Sequence, residues 1–199
     1  MSNLSVKICG VNFKNPVIAA SGTFGFGREY NELYDISLVG GVSTKGLTME
    51  PRTGNPVPRI AEGKSVILNA VGLQNPGVEQ FIKDDLDWLK SKTTVVANVA
   101  GRTLKDYENI CARLDGLADM IEVNISCPNV RAGGMALGIK PENVEEVTRL
   151  CKAQLKKTPL IVKLSPNVES IAANARAAER GGADCISLIN TLTGMVIDI

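Results

Sequence analysis

A cysteine follows an apolar run in Met120-Ile-Glu-Val-Asn124-Ile-Ser-Cys127-Pro-Asn129, and the glycine-rich stretch Arg131-Ala-Gly133-Gly134-Met-Ala-Leu-Gly138 comes directly after it. A buried strand that ends in two amides, a thiol and a proline delivers chemical groups where the chain leaves the core, and small residues behind them suit a covering loop. Cys127 is therefore a candidate catalytic base, the alternative being an ordinary small buried hydrophobe. The chain has no histidine. That removes Ser-His-Asp and Cys-His nucleophile systems and the commonest transition-metal ligand together, so proton transfer must use Cys, Lys, Tyr or a carboxylate.

Other chemically capable residues recur at the ends of apolar runs: Ser21 and Gly22, Lys45, Asn98, Asn124 with Cys127, Lys163, and Asn190 with Thr191. A lysine inside Leu160-Ile-Val-Lys163-Leu is costly to bury unless something anionic meets it. It faces either an anionic cofactor or substrate, or a carboxylate inside the fold such as Glu122. Asn69, Asn98, Asn124, Asn129 and Asn190 each offer a donor and an acceptor, which suits a flat heterocycle with alternating N–H and C=O edges.

Six short runs rich in Val and Ile would position these groups: Pro16 to Ala20, Leu38 to Thr44, Thr94 to Val99, Met120 to Ile125, Leu160 to Leu164 and Cys185 to Asn190. Amphipathic stretches lie between them, the pattern of repeated βα units on a parallel sheet. Helical spacing joins Val78, Phe81, Ile82, Leu86 and Leu89, and again Tyr107, Ile110, Cys111 and Leu114. Thr103 with Asp106 resembles a capping box, and Pro141 suits the first turn of a helix carrying Val144, Val147, Cys151 and Leu155. A further helix runs from about Glu169 to Arg180 and ends at Gly181-Gly182. Cys111 and Cys151 fall on apolar faces and read as core. Val6 to Phe13 predicts a small hairpin turning at Gly10, a plug for one end of a barrel. The excursion from Gly46 to Asn75 is too long for a simple connection, and its second half predicts a hairpin that is either substrate-facing or solvated.

Polar strand ends on alternating βα units predict an α/β fold, a (β/α)8 TIM-type barrel of which about six units are present, with the short N-terminal hairpin. A doubly wound sheet is the alternative, but the glycines of Ala20-Ser-Gly-Thr-Phe-Gly-Phe-Gly27 lack the GxGxxG spacing. A barrel of this kind takes about 250 residues. The chain has 199, so residues 1–199 read as a single, incomplete barrel domain without its last two units, and the first and sixth strands are expected to be open apolar edges.

Composition narrows the partners. Lys plus Arg total 22 against 21 Asp plus Glu, and 44% of residues are hydrophobic. There is no basic footprint for nucleic acid, no apolar run long enough for a bilayer and no signal-peptide pattern, so a cytoplasmic protein is expected. The five cysteines are scattered and never form a CxxC pair. No zinc or iron-sulfur site is suggested, and a cluster would have to come from a partner.

Four separated motifs, Asn124-Ile-Ser-Cys-Pro-Asn129-Val, Ser43-Thr-Lys45-Gly46, Asn69-Ala-Val-Gly-Leu73 and Ile189-Asn190-Thr191, together resemble the class 1 dihydroorotate dehydrogenases. The opening Ala20 to Gly27 and the Asn69 to Leu73 pattern are most similar to the class 1B, NAD-linked catalytic subunit. The resemblance implies FMN-dependent oxidation of (S)-dihydroorotate to orotate in pyrimidine (UMP) biosynthesis, with Cys127 as the base. It implies that Lys45, Asn69, Ala70, Val71, Gly72, Leu73, Asn124, Asn190 and Thr191 line the substrate site, with Asn129 as a weaker addition. Ser21, Lys45, Gly46, Asn98, Asn124, Lys163 and Ile189 would contact FMN, Lys163 stabilising negative charge on the reduced ring. Arg131 to Gly138 would close over the site. It further implies a second subunit carrying FAD and a [2Fe-2S] cluster that passes electrons to NAD, in a heterotetramer of two catalytic and two electron-transfer subunits. Fumarate-linked class 1A enzymes are the nearest competitor and dihydropyrimidine dehydrogenase a more distant one. A non-catalytic truncated barrel acting as a binding module is the reading from a different class.

Overall fold

The computed structural model describes residues 4–126 and 137–197. Its centre is a six-stranded parallel sheet in which chain order and spatial order coincide: β3 (Ile18–Ala19), β4 (Gly41–Ser43), β7 (Thr94–Val99), β8 (Met120–Asn124), β9 (Leu160–Lys163) and β10 (Cys185–Ser187). A doubly wound sheet reverses its strand order at a switch point. This one never does, which excludes the doubly wound alternative and leaves a partial (β/α) barrel. All six sequence runs hold a strand; Thr94–Val99 coincides with its run and the other strands are shorter than theirs.

Alternation along the strands sorts their side chains onto two faces. Val95, Ala97, Val99, Ile121, Val123, Leu160 and Val162 point outward into the main core. There they meet helices α4 (Leu104–Leu114), α5 (Pro141–Gln154) and α6 (Ile171–Arg180). Cys111 of α4 and Cys151 of α5 are fully buried in this layer. The helix ends follow local chemistry. Thr103 and Asp106 form a reciprocal capping box, and Pro141 occupies the first turn of α5. Ser170 accepts from the Ala173 N–H at the start of α6.

The inward face is different at its two ends. At the strand N-termini Val96, Met120 and Ile161 form a small second core around Phe13. Phe13 belongs to the antiparallel hairpin of β1 (Val6–Ile8) and β2 (Val11–Phe13), which seals that end as a plug. The ring approaches so closely that a Cβ on Gly41 would sit 2.8 Å from it, so glycine is required there.

The excursion after β4 carries a second hairpin, β5 (Ile60–Gly63) and β6 (Val66–Asn69), before the helical segment α2 (Val78–Phe81), a π-helical stretch Ile82–Leu86 and α3 (Asp87–Lys90). Asn75 fastens the excursion to the barrel. Its Oδ1 accepts from the backbone N–H groups of Thr48 and Gly77, and its amide donates to the Leu73 carbonyl.

Asp115, at the C-terminus of α4, holds the loop that leads into β9. Its carboxylate accepts the backbone N–H groups of Lys156 at 3.1 Å, Lys157 at 2.9 Å and Thr158 at 3.0 Å. Burial alone would raise its pKa, but these bonds outweigh burial and hold it below the ordinary carboxylate value. A lowered folded pKa stabilises the protein fully above the unfolded value and is lost as pH falls through the folded one. Asp115→Ala should therefore cost about 2 kcal/mol near neutrality. The difference from wild type should shrink below about pH 4, as urea denaturation at a series of pH values will report.

Candidate active site

The C-terminal half of the inward face is polar, and the same alternation that buries Met120 brings Glu122 and Asn124 to it. Glu122 is 5% exposed. Its carboxylate accepts hydrogen bonds from three strands: Ser43 of β4 at 2.7 Å, the Asn98 amide of β7, and Ser187 of β10 at 2.7 Å. The ion pair with Glu122, one of the two alternatives for Lys163, is not formed. Among the described residues no carboxylate lies within ion-pair distance of Lys163, since hydroxyls and an amide already fill the Glu122 acceptors. Lys163 stands half-buried between Asn124 and Ser187, its partners in register on β8 and β10.

One turn further toward the mouth lies a second network. The Asn124 Oδ1 accepts from the Asn190 amide at 2.8 Å and the Ser126 hydroxyl at 2.9 Å, and the Asn190 amide also donates to Ser126. The Asn190 Oδ1 takes the Thr191 backbone N–H at 2.7 Å. Tyr107, buried in α4, donates to the Asn124 carbonyl at 2.9 Å and locks the strand end in place. Thus Asn124, Asn190 and Thr191, far apart in sequence, share one cluster.

Asn98 leads to a third group. Its amide is used by Glu122, but its Oδ1 is buried and finds no partner among the described residues. A Cβ on Gly46 would lie 3.0 Å from that oxygen and 2.9 Å from Leu73 Cδ1, so Gly46, Asn98 and Leu73 close on one another. Lys45 is half-buried beside them, its backbone N–H donating to the Gly25 carbonyl at 3.0 Å. Ser21 is half-buried after β3.

The remaining expected residues are more open. Asn69 and Ala70 are exposed at the end of β6, while Val71, Gly72 and Leu73 turn back toward the barrel. Asn55 shapes that turn, donating its amide to the Ala70 carbonyl at 2.7 Å. Ile189 is 43% exposed beyond β10. Cys127, Asn129 and 131–136 lie outside the described residues. Leu137 and Gly138, the end of the expected closing stretch, are buried instead. The Asn174 amide of α6 grips the Gly138 carbonyl at 2.9 Å and fixes this end of the stretch against the helix.

Ser43, Ser126, Ser187 and Asn174 escape sequence reasoning as site-building residues. For Asn174 the available signal was a polar residue on the buried face of an alanine-rich helix. For Ser43 and Ser187 there was none, because Glu122 lies tens of residues away, while Ser126 joins its near neighbour Asn124 to the distant Asn190.

Residues 3–199 match the family model described as dihydroorotate dehydrogenase. The chain is 56% identical over 199 residues to the "dihydroorotate dehydrogenase B (NAD(+)), catalytic subunit" of Alkaliphilus oremlandii, covering 99% of this chain and 66% of that one. It is 54% identical to the protein of the same name from Caldicellulosiruptor saccharolyticus, again spanning 66% of its length, and 50% identical to that of a Geobacter species over 65% of its length. It thus covers slightly less than two thirds of these curated relatives. Among solved structures, the DHODH of Eimeria tenella in complex with ferulenol superposes with a TM-score of 0.78 at 21% identity. That alignment covers 98% of this chain and 61% of the other, a likeness of fold.

Proposed function

This chain belongs to the dihydroorotate dehydrogenase family, and from that premise we propose that it supplies the barrel of a catalytic subunit that oxidises (S)-dihydroorotate to orotate on FMN, within de novo pyrimidine synthesis in the cytoplasm. Electrons would leave through a partner subunit carrying FAD and a [2Fe-2S] cluster to NAD+, in an assembly of two catalytic and two electron-transfer subunits. The names of the curated relatives, NAD(+)-linked catalytic subunits, favour this acceptor over fumarate.

The observation that carries the reading is the row of groups at the strand C-termini, where barrel enzymes assemble their sites. Among the described residues the buried Asn98 Oδ1 has no partner and the Lys163 ammonium meets no carboxylate, which fits a flat group that has an N–H edge and accumulates negative charge. FMN is such a group, and Ser21, Lys45, Gly46, Asn98, Asn124, Lys163 and Ile189 would hold it. When bound it supplies the two-electron acceptor that no side chain can provide. Lys45, the Asn69 to Leu73 turn, Asn124, Asn190 and Thr191 would bind and orient the substrate ring. The Cys127 thiolate would take the proton from the ring carbon next to the one that loses hydride. A free thiol has a pKa of about 8.5, lowered by neighbouring positive charge, so this base works near neutrality without histidine.

The flavin spectrum tests the proposal. Anaerobic addition of dihydroorotate to the FMN-loaded protein should bleach the flavin absorption within the turnover time and release orotate. A flavin that stays oxidised under these conditions rules the activity out and leaves the binding-module reading.

Asn190→Ala removes the amide that ties β10 to Asn124 and Ser126 and that would contact substrate. Its expected effect is a rise in KM for dihydroorotate of about tenfold, equivalent to about 1.4 kcal/mol, with a smaller change in kcat. Steady-state kinetics of the variant give both numbers.

A further inference from the structure

At the other end of the barrel, two thiols from opposite ends of the sequence meet. Cys9 lies in the two-residue turn of the β1–β2 hairpin and Cys185 is the first residue of β10. The Cys9 Sγ donates at 3.2 Å to the backbone carbonyl of Asp184, the residue that precedes Cys185, and burial together with the neighbouring Cys185 thiol pushes the Cys9 pKa above the ordinary thiol value. Cys9 is exposed and Cys185 half-buried, whereas the other described pair, Cys111 with Cys151, is sealed in the core.

The turn itself makes the cysteine conspicuous. Cys9 has φ 47° and Gly10 has φ 87°. Two positive φ values define the hairpin turn in which Asn-Gly or Asp-Gly is the favoured pair, and a non-glycine residue other than Asn or Asp is uncommon there. The chain thus places a thiol where local conformation argues for an amide. Over Cys9 opens a cavity of about 400 Å³ lined by Lys152, Lys156, Lys157, Thr158 and Asp184. Lys152 pairs with Asp184 at 2.6 Å, so Lys156 and Lys157 give the cavity net positive charge.

We propose that Cys9 and Cys185 form a modification site, a dithiol that a small anionic disulfide oxidises to an intramolecular disulfide, pinning the hairpin plug to β10. The Cys9 thiolate attacks one sulfur of the small disulfide and expels its other half as a thiolate. The Cys185 thiolate then attacks the Cys9 sulfur of the mixed disulfide and expels the second half. Two protein thiols are oxidised, one small disulfide is reduced to two thiols, and the two protein protons end on those leaving groups. Lys156 and Lys157 would draw the anionic reagent to the exposed sulfur, and the half-buried Cys185 would act as the resolving thiol. The covalent tie would join residues 9 and 185, closing nearly the whole described chain into one loop, the arrangement in which restriction of the unfolded state is greatest.

The test uses oxidised glutathione on the flavin-loaded protein, followed by non-reducing digestion and mass mapping. The expected result is loss of two of the five thiols, a linked peptide joining Cys9 to Cys185, reversal by a reductant, and a higher melting temperature of the oxidised form. Cys9→Asn, which restores a residue suited to the turn, and Cys185→Ser should each abolish the linked peptide and the thermal shift. The proposal is overturned if both thiols remain open to iodoacetamide after oxidation. It is equally overturned if Cys9 stops at the mixed disulfide in the wild type, or if the link joins another cysteine.

Discussion

Replacing Cys127 with Ala is expected to slow flavin reduction by dihydroorotate by about 10²- to 10⁴-fold, the range a positioned general base contributes, while FMN remains bound. The separation of the two readouts follows from the architecture. The residues proposed to hold the cofactor stand on β7, β8 and β9 and on the segments that follow β3, β4 and β10, and among the described residues Asn98 is held by Glu122 and Asn124 by Asn190. Stopped-flow absorbance measures the rate, and the spectrum of the resting variant reports the flavin. Cys127→Ser should retain slow reduction with a pH profile moved upward, because a hydroxyl ionises far less readily than a thiol. Near wild-type reduction in the alanine variant would remove the thiol from the mechanism and return proton abstraction to Lys45 or Lys163, the cations at the same strand ends.

Much of this framework is legible in the residues because parallel strands buried on both faces leave continuous apolar runs, and those between Thr94 and Leu164 place β7, β8 and β9 directly. The hairpin turning at Gly10 and the cap at Thr103 are equally local, and both are formed. Elements without a local signature escape. Helix α1 (Arg28–Leu33) buries no residue, so it has no apolar stripe to betray it. The π-helical stretch Ile82–Leu86 keeps an ordinary helical pattern while adding a residue to the turn. In the site, residue types at strand ends identify which groups face the mouth, but not which of them bond to each other. Glu122 illustrates the difference. Sequence offers it as one of two alternative partners for Lys163, whereas alternation on neighbouring strands delivers hydroxyls and an amide to it first. A carboxylate fully served by neutral donors has no need of the lysine, and among the described residues Lys163 meets no carboxylate.

Glu122→Ala should be the most destabilising change at the site, about 3 kcal/mol, because it leaves the buried Ser43 and Asn98 donors and the half-buried Ser187 hydroxyl around an empty volume. Glu122→Gln should cost much less. Its amide oxygen can still accept from Asn98, and either serine hydroxyl can rotate to accept from the new NH₂ group. Urea denaturation separates the two variants, and the ratio of FMN to protein after gel filtration adds a second readout. Release of the Asn98 amide in the alanine variant lets the side chain turn, moving the Oδ1 that packs beside Gly46. Flavin retention should therefore fall further than the loss of global stability accounts for, whereas the glutamine variant should hold flavin almost as well as wild type. Equal loss of flavin in both variants would show that the carboxylate charge matters for binding. That outcome would require Glu122 to act electrostatically on the cofactor rather than by holding Asn98 in place, and would replace the positioning role argued for it.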